Sequence, residues 1–105
     1  MTLDGRKFLY TYTSGLRVEG EFLSGSRVAW RALSGPAAGS SGTETASITE
    51  ARPDLWFVSW VEGSGTTVSQ LLDLHLMSVT SFVTFDAGGT RRGMPDTGTL
   101  SEIRS

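Results

Sequence analysis

Apolar and polar residues alternate with a period of two along most of this chain, the pattern of strands rather than helices. In the stretch 7–13, Phe8, Tyr10 and Tyr12 share one face while Leu9, Thr11 and Thr13 share the other. Ser14-Gly15 then turns the chain. The next strand, 16–23, places Leu16, Val18, Gly20 and Phe22 opposite Arg17, Glu19 and Glu21, a half-buried pattern. After a second turn at Ser24-Gly25, the stretch 27–33 sets Val28, Trp30 and Ala32 against Ala29, Arg31 and Leu33. Three short strands with tight turns predict an antiparallel meander.

The small-residue stretch 34–42, SGPAAGSSG, reads as a loop or as a corner where the sheet bends. A weaker strand over 43–50 has Ile48 as its only large apolar residue, which suits an edge or a rim. Arg52-Pro53-Asp54 stops it. The stretch from 55 has no ordinary solvent face: Trp56, Val58, Trp60 and Glu62 lie on one side, and Leu55, Phe57, Ser59 and Val61 on the other. Gly63-Ser64-Gly65 turns the chain into a strand over 66–74, although 69–77 also satisfies a helical period. A seventh strand follows over 78–85. The polar stretch DAGGTRRGMPDT, 86–97, reads as a loop, and 98–103 as a short eighth strand.

Strands of this length joined by tight turns predict an all-β fold, a small antiparallel up-and-down barrel of about eight strands with little helix. Such a barrel has an interior just wide enough for side chains or one small ligand. The 105 residues, without a linker or repeat, predict one domain over 1–105. The 13 glycines and the β-branched and aromatic runs agree with it.

Charge changes the picture mainly by exclusion. A net charge of −2, with eight arginines and one lysine, gives no electrostatic footprint for nucleic acid and no basic run for a membrane surface. No apolar run approaches the roughly 18 residues that span a bilayer, and the first residues lack an apolar signal core, so a cytoplasmic protein is expected. The absence of cysteine removes thiolate nucleophiles, disulfides and Cys-ligated metals. One histidine, His75, leaves little material for a metal site or a Ser-His-Asp triad, and among its leucines it reads as structural. No metal and no cofactor is expected.

The residues with chemistry left to offer are few. Glu62 follows two indoles on one face. There it is either a partly desolvated acid with a raised pKa, suited to proton transfer near neutral pH, or a strand-end carboxylate that meets water. Tyr10 and Tyr12, two apart on one strand, point the same way. Arg31 and the hydroxyls of Thr66 and Thr67 complete the candidates. Arg91 and Arg92 could hold an anion, but a solvated loop explains them as well.

The segments FLYTYTSGLRVEGEF, VAWRALSG with its following PAAG, and FVSWVEGSGTTVS resemble, in that order, the bacterial phenolic acid decarboxylases and the related MoaF-like proteins. The likeness runs from about Gly5 to Phe85, and Tyr-Thr-Tyr and Ser-Trp-x-Glu are its specific parts. It implies a lipocalin-like (calycin) barrel with a small-molecule cavity. By position it implies that Tyr10 and Tyr12 hold a substrate carboxylate and that Glu62 handles protons. The chain departs from the decarboxylases at two places. Ser40 follows Ala38-Gly39 where their arginine is expected, and Val18 stands for a second-strand tyrosine. Arg31 occupies a different position from that arginine.

The expectation is therefore a small-barrel enzyme acting by acid–base chemistry on an unsaturated or aromatic molecule. Glu62, Tyr10 and Tyr12 would be catalytic, and Trp30, Arg31, Trp56, Trp60, Thr66 and Val18 would bind substrate. The alternatives are a lipocalin-like protein that binds a hydrophobic molecule without converting it, and a barrel filled by its own side chains. The partner expected is a small molecule rather than nucleic acid or membrane, with a homodimer implied only by the decarboxylase resemblance.

Overall fold

A computed structural model describes residues 2–104. They form nine strands and no helix: β1 Lys7–Tyr12, β2 Arg17–Leu23, β3 Arg27–Ala32, β4 Ser41–Thr45, β5 Ser47–Arg52, β6 Leu55–Val61, β7 Thr67–Asp73, β8 Ser78–Ala87 and β9 Thr90–Ile103. One sheet contains them all, in the order β4-β3-β2-β1-β9-β8-β7-β6-β5, and every pairing is antiparallel. The predicted all-β meander is what the chain builds. No helix among these residues is long and apolar enough to cross a membrane.

The strand expected over 43–50 is two strands that meet at Ala46. Its first half, β4, pairs with β3, and its second half, β5, pairs with β6. Ala46 is buried at the bend, and its N–H donates to the Ser26 carbonyl at 2.8 Å. Because the two ends of the sheet are halves of one bent strand, the sheet returns on itself and forms a nearly closed barrel.

One alternative falls away and one expectation is corrected. The helical alternative over 69–77 fails: β7 runs to Asp73, whose carboxylate accepts the backbone N–H of His75 at 3.0 Å and of Leu76 at 2.9 Å to shape a turn. The polar stretch 86–97 is mostly strand. Gly88 and Gly89, with φ of +61° and +85°, make a two-residue turn directly between Ala87 and Thr90. Glycine tolerates positive φ at both central positions, which lets the hairpin follow the twist of its strands. Here β9 pairs with β8 alone, and most of its residues up to Thr97 are exposed. No apolar alternation marks a strand that buries neither face.

From Gly98 onward β9 also pairs with β1. A Cβ at Gly98 would lie 2.2 Å from the Thr11 carbonyl oxygen, so only glycine lets β9 pass this close to β1.

Even-numbered residues of β1–β3 and β6 point inward, as the alternation requires. At one end of the barrel the inward residues are large and pack solidly. Leu3, Phe8, Phe22, Val28, Val58, Leu72 and Val79 are each at most 2% exposed. Phe8 and Phe22 meet edge to face at 6.1 Å. Arg6 covers this end, with its guanidinium 5.4 Å from the Phe8 ring centre and a two-pronged pair to Glu102, both contacts 2.9 Å.

Candidate functional site

Toward the other end the inward residues of β2, β3 and β7 become smaller, Val18, Ala32 and Val68, and β8 contributes Ser81 and Val83. They leave a cavity of about 600 Å³, within the range of small-molecule sites. Its mouth lies among the β1–β2 turn at 14–16, the β3–β4 connection at 35–37, the β6–β7 turn and β9 at 94–96. Of the residues expected at the site, Tyr10, Tyr12, Val18, Trp30, Trp60, Glu62 and Thr66 all line this one space.

Two do not, and the alternation explains both. Arg31 follows an inward Trp30 and so points to the outer wall, where Nη2 pairs with Glu19 Oε1 at 2.5 Å. It cannot stand in for the missing arginine of the decarboxylase pattern. Trp56 points inward but pairs with Leu72 near the packed end, and it belongs to the core rather than to the cavity wall.

Three polar groups meet in the barrel interior. The Tyr12 hydroxyl and Ser81 Oγ are 2.6 Å apart, and Gln70 Nε2 donates to Tyr12 Oη at 3.4 Å. Gln70 is only 5% exposed, and its Oε1 has no partner. It faces Val58 on β6, one pair deeper than Trp60–Val68 and one above Trp56–Leu72. Tyr10 is buried with its hydroxyl directed at Gly20, where a Cβ would lie 3.2 Å from Oη. Burial pushes both phenols up. For Tyr12 the hydrogen bonds to Ser81 and Gln70 offset part of that rise. Both rings therefore stay neutral at physiological pH and keep an O–H to donate.

The carboxylates sit at the mouth. Glu62, one residue beyond β6, is half-buried, and its Oε2 accepts the Trp60 indole N–H at 3.1 Å. The other cavity indole is held alike: Trp30 Nε1 donates to Glu44 Oε2 at 3.0 Å. Gly42 makes room, since a Cβ there would lie 2.8 Å from that carboxylate oxygen and 2.9 Å from the indole nitrogen. Asp96 takes hydrogen bonds from Thr13 and Ser14. Desolvation pushes its carboxyl up, but these hydroxyls and the Thr97 amide outweigh it and hold it below the usual range. No lysine, arginine or histidine among the described residues lines the cavity. Among the described residues, no group of three histidine or acidic side chains is placed to hold a metal.

Gln70, Ser81 and Asp96 are lining residues that the motif-based reading missed. Their signal is nonetheless in the alternation. Gln70 interrupts the inward row of Val68 and Leu72, and Ser81 that of Val79 and Val83. A polar side chain on a buried row needs a partner or a purpose.

No curated protein matches the chain. A solved structure from Burkholderia vietnamiensis, provisionally described as a beta-lactamase, has the same fold. It has a TM-score of 0.88 at 20% identity, covering 98% of this chain and 97% of that one. The MoaF-like family profile matches residues 4–100, which include every residue of the cavity described above. With the barrel and its Tyr-x-Tyr and Ser-Trp-x-Glu strands in view, that match settles kinship: the chain belongs to the MoaF-like family.

Proposed function

We propose that the barrel binds an uncharged, largely apolar small molecule. The observation that carries this reading is the cavity of about 600 Å³ whose wall holds no cationic side chain while two carboxylates, Glu62 and Asp96, stand at its mouth. A carboxylate ligand would lose water and gain no opposite charge, and would pass two anionic groups on the way. A neutral ligand meets indoles, valines and the neutral donors Tyr10 and Tyr12. The test is titration of the tryptophan fluorescence, since Trp30 and Trp60 both face the cavity. Methyl cinnamate should bind at least tenfold more tightly than cinnamate. Tighter binding of the anion would sink the proposal.

A second reading, acid–base turnover, is favoured by one observation: Glu62 opens onto the same cavity as Tyr10 and Tyr12. Against it, Glu62 lies four residues along the strand from Val58, level with Gln70, or roughly 13 Å at about 3.3 Å per residue. A ligand held at that depth reaches Glu62 only if it is long. Product analysis by mass spectrometry decides. Turnover of an unsaturated substrate that disappears in Glu62→Gln and Tyr10→Phe supports catalysis, and turnover unchanged in both variants excludes these residues from it.

A further inference from the structure

Resting on the binding reading, the two carboxylates beside the cavity indoles acquire a role. Glu44 and Glu62 each take an inward place in the alternation. Glu44 pairs with the buried Val28, and Glu62 continues the inward row of Val58 and Trp60. An acid on such a row loses water and needs a partner. Neither has a cation: among the described residues, no salt bridge includes either carboxylate. The one side-chain hydrogen bond each makes comes from an indole N–H, 3.0 Å from Trp30 to Glu44 and 3.1 Å from Trp60 to Glu62.

The same arrangement is built twice by different routes. Trp60 and Glu62 are two apart in one stretch of chain, whereas Trp30 and Glu44 lie on neighbouring strands, with Glu44 two residues beyond the Gly42 that faces Trp30. Glycine lets that second contact form, since a Cβ at 42 would strike both the indole nitrogen and the carboxylate. Trp30 lines the cavity, and Glu44 does not.

We propose that Glu44 and Glu62 are positioning residues, each holding an indole by its N–H so that the ring stays fixed as cavity wall. With both N–H groups taken by carboxylates, the indoles offer a ligand ring carbon and no donor, which suits an apolar body. A ring fixed before the ligand arrives spares binding the loss of its rotamer freedom, worth about fivefold in affinity. Proton transfer is not needed to account for Glu62, because Glu44 keeps the same kind of partner outside the cavity.

The experiment compares the intact protein with Glu44→Gln, Glu44→Leu, Glu62→Gln and Glu62→Leu, whose folding is checked by far-ultraviolet circular dichroism. Gln keeps an acceptor without the charge, and Leu keeps the bulk without the acceptor. Proton NMR of the indole N–H groups, assigned with Trp30→Phe and Trp60→Phe, needs no ligand. In each Leu variant the N–H of the paired tryptophan should exchange about tenfold faster or more, and in each Gln variant it should stay within about threefold of wild type. Titrated with methyl cinnamate, the Leu variants should bind about fivefold more weakly and the Gln variants within about twofold of wild type. An indole N–H unmoved in the Leu variants overturns the proposal, as does a released indole with unchanged affinity. Equal losses in the Gln and Leu variants overturn it too, since charge rather than an acceptor would then matter. If methyl cinnamate does not bind the wild type, the binding reading falls, and the NMR arm still decides whether the carboxylates hold the indoles.

Discussion

The two ends of the barrel are made by the same alternation and differ in what it carries. At the packed end the inward positions hold Phe8, Phe22, Leu72 and Trp56, members of one buried cluster in which Phe8 and Phe22 of neighbouring strands meet edge to face. At the open end β2, β3 and β7 hold Val18, Ala32 and Val68 where the packed end has Phe22, Val28 and Leu72, and a cavity remains between them and the rings of Tyr12 and Trp60. A barrel of about eight strands has just enough width for either outcome. Residue volume along a buried row, not the periodicity itself, decides whether the interior is a core or a cavity. The polar groups follow the same division. The packed end is closed by the Arg6–Glu102 pair at its rim, whereas Gln70, Tyr12 and Ser81 lie inside, on the cavity wall.

Truncation breaks the comparison most directly. Phe22→Ala, in the packed end, should cost about 3–5 kcal/mol, because the surrounding side chains cannot collapse into the space. Val83→Ala, on a wall already open to the cavity, should cost about 1 kcal/mol or less, the transfer loss without a new void. Urea unfolding of the two variants measures both, and equal losses would mean that the open end is packed as well.

A smaller effect separates the ends by pH. Tyr10 and Tyr12 have raised pKa values when folded, so above about pH 10 the unfolded chain releases protons that the folded chain retains. Their contribution is whole below the unfolded pKa and is lost as pH rises above it. Stability should therefore decline from about pH 10 upward, and Tyr10→Phe should flatten the decline. A wild-type profile that matches the variant's between pH 9 and 11 would place the phenol in water.

The smallest effect belongs to the pair that covers the packed end. The Arg6 guanidinium holds the Glu102 carboxyl below its usual range, so its contribution is present above about pH 4.3 and fades as pH falls. Glu102→Gln should cost about 1 kcal/mol at neutral pH, and less in high salt. A salt-independent loss measured by urea unfolding would show that packing of the Arg6 stem over Phe8 matters more than charge.

The sequence made the first three strands, β6, β7 and most of β8 legible because each buries one face or both, and burial writes the alternation. It made Tyr10, Tyr12, Val18, Trp30, Trp60, Glu62 and Thr66 legible as neighbours, since inward positions of adjacent strands must share an interior. It hid the β8–β9 hairpin, where Arg91, Arg92 and Gly93 are exposed and no row is apolar. The Gly88-Gly89 pair was the available clue. The fate of Arg31 was legible too, since one residue from an inward tryptophan its parity points outward, and its charge alone made it a candidate. Gln70 lay in plain view within Val68-x-Gln70-x-Leu72. Nothing in a motif says that an amide there will lack a partner, because that depends on three strands brought together in space.

The sheet order carries a kinetic consequence. Seven of its eight strand pairings join neighbours in sequence, and only β1 with β9 spans nearly the whole chain, from Lys7 to Ile103. Two meanders, β1–β4 and β5–β9, can each zip up through short hairpins in microseconds, while the joint between them must close a long loop before any contact rewards it. The late step of folding is thus placed at that joint, where Gly98 slides beneath Thr11. A side chain at Gly98 would slow the closing of the barrel as well as weaken the barrel once closed, and stopped-flow refolding would register it.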